Sequence, residues 1–484
     1  MATADTATSS IDWPRHTRRA ILLIVGMVAA VFGISVTYGF VNWDDPWYVH
    51  RNPLIQSWSL ENLYGICTQT VTRNFAPLTI FSYLIDFSLW RTWSGGYHLT
   101  NIVLHAANAV LVFLLVRQLT DRHVFSLLVA LLFAVHPVQI ESVVWISARK
   151  GLLSSLFILL SLLYWLKQDR TRRDEYLGIL FFLLALFSKA LAVVVPGVVF
   201  VYDWIVRRKS FSDSLSRQFI PGLLAVWFIV LTAGSQNSQT GGIRHHLGLS
   251  KLEILGLDSV LLWKYVGMMF WPTDLAILYD PPTEGMTVLT ILCSLSWIAL
   301  GVWLWSQRTR RPLVLFAAAT ALAFLVPVLN LFPLTTLMND RYLYLSSVPF
   351  FAVMIAGVES LWRAVQERCR LQPLSFPATA RIAGTVVLCY SVLSIQQLPV
   401  WRNDLALWQR AVQVSPELPV VQYQYALALW DAGEEAAAIA RIQFALTLDR
   451  IDELDRERFL EKLAHFRSIR VSQQGNSVGV SSTR

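Results

Sequence analysis

Two adjacent carboxylates, Asp44 and Asp45, follow directly on an uncharged apolar run from Ala20 to Phe40. At ~1.5 Å per residue that run can cross a hydrocarbon layer ~30 Å thick. Arg15, Arg18 and Arg19 precede it. The positive-inside bias therefore predicts a cytoplasmic N-terminus, with both carboxylates emerging on the far side. Acidic side chains at a bilayer surface are costly unless solvated, paired or used. A carboxylate in that position is suited to orienting a hydroxyl and taking its proton.

Cations are predicted at the same face. Arg149-Lys150 stands just before the fourth apolar run, Lys189 between the fifth and sixth, and Arg341 at the next-to-last far-side turn. Placed against the charge bias of the remaining chain, Arg149, Lys150, Lys189 and Arg341 read as anion ligands rather than topology signals. Carboxylates facing such a basic set suit glycosyl transfer from a lipid phosphate. One carboxylate acts as base on the acceptor hydroxyl, and fixed cations stabilise the departing phosphate.

His98, Asn101, His105 and Asn108 recur at intervals of three, four and three, so they share one helical face. Such a stripe either hydrogen-bonds neighbouring helices or lines a cavity. Its start at the face where Asp44 emerges favours a cavity that takes substrate, and His136 and Glu141 join it. His136 and Glu141 are five apart with no third ligand nearby, so the metal signal is weak and a divalent metal is left open.

The elements that must position these residues are apolar helices. Of 484 residues 55% are hydrophobic and 15% charged, too apolar for a soluble enzyme of this length. The net charge of +8 lies in short basic clusters between apolar runs, a membrane pattern that argues against nucleic acid. Eleven spans account for the runs: 20–40, 99–115, 124–136, 152–166, 176–188, 191–206, 219–234, 286–305, 313–331, 342–361 and 382–399. The first reads as a retained anchor. Residues 257–271, interrupted by Asp258 and Lys264, read as interfacial or re-entrant. Outer segments are then expected at 41–97 and 235–285, with the C-terminal tail also outside. Cys67, Cys293, Cys369 and Cys389 are scattered and suggest no disulfide framework or zinc spacing.

After Trp401 the sequence changes character. Gly433 marks a helix–helix turn, with Tyr425, Ala426, Ala438, Ile442 and Ala445 at packing positions. Trp408, Ala411 and Pro416 suit a preceding half-unit, and the whole is similar to a short tetratricopeptide array. The expected organisation is a membrane domain over 1–400, a helical module over 401–468 and a disordered tail over 469–484.

The ordered set Phe40-Val-Asn-Trp-Asp-Asp45, Ala76-Pro-Leu-Thr79, Tyr97-His-Leu-Thr-Asn101, His105-Ala-Ala-Asn108, His136-Pro137 with Glu141-Ser142, Arg149-Lys150, Ser188-Lys189, Phe270-Trp-Pro272, Asp340-Arg-Tyr-Leu-Tyr344 and Trp401-Arg-Asn-Asp404 carries a resemblance over residues 35 to 450. It resembles bacterial membrane proteins with C-terminal tetratricopeptide repeats, related to the animal transmembrane-and-tetratricopeptide-repeat O-mannosyltransferases. The chain departs from that pattern at Ala76, Gly151 and Ala190.

The resemblance implies an all-α integral membrane protein of the GT-C type, with about eleven spans and a tetratricopeptide-like module. It implies a polyprenyl-phosphate-linked sugar as donor, with mannose or a related hexose passing to Ser or Thr of an acceptor polypeptide. Asp44 and Asp45 would be catalytic and the four cations would bind the donor phosphate. The expected location is a bacterial inner membrane, with the C-terminal module periplasmic. Transfer to a lipid or envelope glycan, a non-catalytic scaffold and a transporter are the rival readings, and a transporter would show internal symmetry that is absent here.

Overall fold

A computed structural model describes residues 14–481 except 73, 238–248, 282, 284–286, 332–335 and 371–375. Residues 238–248, 282, 284 and 285 of the expected 235–285 segment thus lie outside the described residues. Every regular element among those described is helical. The first half contains α1 (Arg15–Phe32), α2 (Leu60–Thr68), α3 (Pro77–Trp90), α4 (Ser94–Thr120), α5 (His123–Val135), α6 (Ile140–Val144), α7 (Arg149–Trp165), α8 (Arg172–Ser188), α9 (Val195–Val201), α10 (Phe211–Arg217) and α11 (Phe219–Asn237). Then follow α12 (Lys251–Phe270), α13 (Val288–Ser306), α14 (Pro312–Leu325), α15 (Leu343–Cys369) and α16 (Phe376–Gln397). The module comprises α17 (Asp404–Val414), α18 (Pro419–Asp431), α19 (Glu435–Thr447) and α20 (Glu453–Ser481).

Each of the eleven apolar runs contains helix among the described residues, but the helices differ in length. Among the described residues six helices are long and apolar enough to cross a membrane, or eight if two bent pairs each count as one span. This defines a multi-pass membrane protein. The α5–α6 pair bends by 56° at His136-Pro137. Its cause is local: the residue before proline is pushed out of the helical region, and His136 adopts φ −69°, ψ 138°. Two further apolar stretches, Ala190–Val206 and Pro312–Val328, are shorter.

Local signals explain the helix ends that matter most. Thr171 and Asp174 form a reciprocal capping box at the start of α8. The α7–α8 pair approaches closely because Gly178 faces Trp165; a Cβ there would fall 2.2 Å from the indole. Ser161 and Ser154 on α7 donate to the Gly178 and Ala185 carbonyls at 2.9 and 3.1 Å. Small residues and interhelical hydrogen bonds are the usual adhesive where water supplies no hydrophobic drive.

In the module, Gly433 takes φ +84° at the α18–α19 turn, a conformation that favours glycine. Ala426, Ala438, Ile442 and Ala445 are buried between the helices. Tyr423 stacks on Phe459 at 4.2 Å and Trp430 on Phe466 at 3.8 Å, fixing α20 against the module. Past residue 468, where the sequence suggests a disordered tail, α20 runs on to Ser481. Once its first part is held by buried Phe459, Leu463 and Phe466, each added residue costs far less than nucleation.

The module sits on the membrane domain. Arg450 pairs with Asp280 at 2.6 Å, Arg410 donates to the Thr273 and Leu275 carbonyls at 2.7 and 3.2 Å, and Ser415 donates to the Leu278 carbonyl at 3.1 Å.

Candidate active site

The site is built on the chain leaving α1. After a short 3-10 turn (Gly33–Thr37) the backbone runs extended and then tightens at Asp44 and Asp45, before Pro46 opens the next short helical segment. The two carboxylates diverge at once. Asp45 is buried, and its oxygens accept the Val41 N–H and the Ser147 N–H, each at 3.0 Å, and the Ser147 hydroxyl. Burial raises Asp45 to about 7, against the opposing pull of the Ser147 and Val41 hydrogen bonds, with Asp44 adding to the rise. Asp45 thus fastens its own loop to the turn before α7. Asp44 keeps 28% of its side chain exposed and stands 4.0 Å from the Lys150 ammonium. Only Asp44 has an accessible carboxylate to offer a substrate.

The cations also separate. Lys150 lies over the Tyr48 ring at 5.2 Å and donates to its hydroxyl at 3.3 Å. Lys189 occupies the turn between α8 and the next apolar stretch, outside both. Its ammonium lies in the field of Lys150, Arg341 and Glu141. A Cβ at Gly151 would sit 3.8 Å from Lys189 Nζ, so the absent side chain leaves space beside that cation. Burial, with the like charges of Lys150 and Arg341, lowers Lys189 to about 7, and Glu141 only partly offsets this. Arg341 pairs with Glu141 through its guanidinium, and its backbone N–H donates to the same carboxylate at 2.8 Å. Trp145 and Tyr342 bracket the guanidinium at 5.1 and 5.4 Å. Asp44 contributes to the field at Arg341. Asp44, Glu141, Lys150, Lys189 and Arg341 therefore form one charged neighbourhood.

Arg149 is not brought together with these groups. Successive helical residues point about 100° apart. Lys150 faces Asp44, whereas Arg149 is fully buried on the opposite side. There it pairs with Asp86 at 2.6 Å, donates to Asn101 Oδ1 at 2.8 Å and to the Tyr97 carbonyl at 3.0 Å, and covers the Tyr83 ring at 4.5 Å.

The side chains of the polar stripe are hydrogen-bonded to neighbouring segments. His98 reaches the Gly39 carbonyl at 3.4 Å. Asn101 donates to the Val143 and Trp145 carbonyls at 3.2 and 3.3 Å. His105 bonds to Tyr344 Oη at 2.8 Å and the Ala134 carbonyl at 3.1 Å, and Asn108 donates to Tyr344 Oη at 3.0 Å. His136 is bound to the Met269 carbonyl at 3.0 Å. All five side chains are buried: those on α4 hold it to the bent α5–α6 pair, α7 and α15, and His136 holds the α5–α6 bend to α12. Among the described residues no three His, Cys, Asp or Glu side chains gather to hold a metal ion.

Several members went unnoticed in the sequence. Asp86 was signalled by lying alone among apolar residues of α3. Ser147 and Tyr48 carry no local signal. Asp340 accepts from the Tyr279 hydroxyl beside Arg341, and Asp404 accepts from a loop amide; neither long-range contact has a local signal in the sequence.

The fold and site define a multi-pass helical membrane protein with a cluster of charged side chains at the ends of its helices. No family model matches the chain. It is similar to proteins called protein O-mannosyl-transferases: human TMTC3 is 23% identical over 446 residues, spanning 82% of this chain and 48% of that protein. Caenorhabditis elegans F38B6.6 is 21% identical over 428 residues, spanning 82% and 57%. The chain thus covers about half the length of the curated relatives it matches. Among solved structures it is similar to the Archaeoglobus fulgidus oligosaccharyltransferase, with a TM-score of 0.45 and 14% identity over 82% of this chain and 57% of that one.

Proposed function

We propose that this chain is a GT-C glycosyltransferase that moves a hexose, mannose by its relatives' name, from a polyprenyl phosphate to a Ser or Thr hydroxyl of a polypeptide at the outer membrane face. One observation carries the reading: Asp44 presents an accessible carboxylate opposite Lys150, with Lys189 and Arg341 in the same field. In the reaction the acceptor oxygen attacks the sugar's C1 and its proton passes to Asp44. The bond between C1 and the phosphate oxygen breaks, and its electron pair leaves with polyprenyl phosphate. Lys150, Lys189 and Arg341 stabilise the charge on that phosphate. Because the hydroxyl has a high pKa, the proton moves late, as the glycosidic bond opens.

The acceptor's route is the cleft between the membrane domain and the helical module, which we read as tetratricopeptide-like. That cleft holds about 460 Å³ and is lined by Lys264, Trp271, Asp274, Tyr279, Asp280 and Met338 among others. Tyr279 on its wall donates to Asp340, the neighbour of Arg341, so the cleft abuts the charged centre. If α8 is read as a crossing along with the six long helices, the two bent pairs and the two shorter apolar stretches, the count is eleven, and this odd number supports a cytoplasmic N-terminus and a periplasmic module in a bacterial inner membrane. A reporter fused after residue 470 is expected to be active only outside; cytoplasmic activity would detach the module from the site's face.

Lys189 gives this reading a pH signature. Held to about 7, it is mostly neutral above that pH in the free protein and must take up a proton when a phosphate binds. Donor affinity is therefore expected to fall as pH rises above about 7 and to level off below it. Lys189→Arg should flatten that slope, and Lys189→Met should weaken donor binding roughly ten- to hundredfold at pH 6 by removing a charged hydrogen-bond donor. Titration of each variant with a synthetic donor measures this; an identical slope in Lys189→Arg assigns the pH dependence elsewhere.

The function itself is tested by mass spectrometry of the host's secreted and envelope proteins with and without the chain. Hexose lost from Ser or Thr supports it. Hexose lost only from lipid or glycan would move the acceptor class, and no loss at all would favour a scaffold.

A further inference from the structure

The loop carrying Asp44 is held from two directions. Within the membrane domain, Asp45 ties Val41 to Ser147. From the module side, the Arg402 carbonyl accepts the Gly39 N–H at 3.1 Å, and the Asp404 carboxylate accepts the Asn42 N–H at 2.5 Å. Trp408 meets Trp43 edge-on with ring centroids 5.3 Å apart, and Trp401 stacks on Trp145 at 6.2 Å. All these module contacts come from the short stretch 401–408 at the start of α17. Asn403 already caps that helix by accepting the Ala406 N–H at 3.0 Å, so α17 does not need Asp404 for its cap. Asp404 instead reaches across the domain boundary to a backbone amide two residues before Asp44.

We propose that Asp404 is a positioning residue for the transfer reaction: by holding the Asn42 amide it sets the direction of the Asp44 carboxylate, making the module a structural part of the active site. This rests on the reading of Asp44 as the base. Asn42 lies in a non-helical stretch, so its N–H has no helical acceptor within its own segment. Without Asp404 the residues between Tyr38 and Asp44 would be anchored by the Gly39 bond and the Trp43 contact alone on this side. Catalytic groups tolerate little such freedom, since a displacement of about 1 Å can cost ~10²-fold in rate.

The test compares Asp404→Ala with Asp404→Asn in the full chain reconstituted in vesicles. Asparagine keeps an oxygen that accepts the Asn42 N–H; alanine does not. Asp404→Ala is expected to lower kcat by ~10- to 100-fold with donor and acceptor KM unchanged within about twofold. Hydrogen exchange across residues 39–45 should quicken by about tenfold, the mark of one lost backbone hydrogen bond. Asp404→Asn should restore most of both. An acceptor KM that rises with kcat unchanged would overturn the proposal, because the module would then act on acceptor alone. Unchanged exchange at 39–45, or equal loss in both variants, would overturn it too. Should Asp404→Ala fail to fold, Trp408→Phe, which trims the Trp43 contact from the same helix, is expected to show a smaller kcat loss with the same exchange signature, and its absence would count against the clamp. Exchange is read without turnover, so an inactive parent chain would sink the transferase reading while leaving the clamp measurable.

Discussion

Asp44→Asn is expected to lower sugar transfer by ~10²–10⁴-fold, the usual cost of removing a general base, while the protein remains inserted and folded. The substitution keeps the side chain's size and removes only its charge and basicity. Asp44 makes one long-range contact, 4.0 Å to Lys150, and is part exposed, so the fold loses little. Asp45→Asn should look different. Its carboxylate accepts from Val41 and twice from Ser147, and an amide would turn an NH₂ donor toward one of these donors. A mispaired buried polar group costs about 1–3 kcal/mol, so this variant should lose both activity and thermal stability. Equal turnover by Asp44→Asn and the parent would remove Asp44 as base, and loss of stability in Asp44→Asn alone would exchange the two roles.

Arg149→Met is expected to be the most destabilising single change at the site, by about 3–5 kcal/mol, because it leaves the Asp86 carboxylate buried without its counter-charge. It also strips the Asn101 oxygen and the Tyr97 carbonyl of their donor. The double variant Asp86→Asn with Arg149→Met should recover part of the loss, since no unpaired charge remains. Thermal unfolding in a fixed detergent, with donor titration alongside, separates the two roles open to Arg149. Unchanged unfolding with weakened donor binding would return Arg149 to the phosphate-binding set.

Much of the fold was legible because its determinants are local. The apolar runs, the bend at His136-Pro137 and the Gly433 turn each follow from one or two residues acting on their own backbone. Asp44, Lys150, Lys189 and Arg341 were legible as a set because charge at the ends of apolar runs is rare and constrained to one face. Direction within a helix was not. Arg149 and Lys150 are neighbours in sequence, yet only packing decides which of them faces Asp86 and which faces Asp44. Partners far apart in the chain were equally hidden. Arg341 has Asp340 beside it, but its guanidinium pairs with Glu141, and Asp340 instead accepts from Tyr279. The His98 to Asn108 stripe had the spacing of a cavity wall, and only the neighbouring carbonyls of α5, α6 and α7 show that it is bonded shut.

The central claim is that this chain breaks the bond between a hexose and a polyprenyl phosphate using Asp44. The most direct measurement incubates the purified chain in vesicles with a radiolabelled polyprenyl-phosphate mannose and a Ser/Thr-containing peptide, following label on the peptide and free polyprenyl phosphate together. The account predicts label on a hydroxyl, one polyprenyl phosphate released per sugar transferred, and loss of both in Asp44→Asn. Binding of the donor with no release by the parent chain, or equal release by Asp44→Asn, would contradict it.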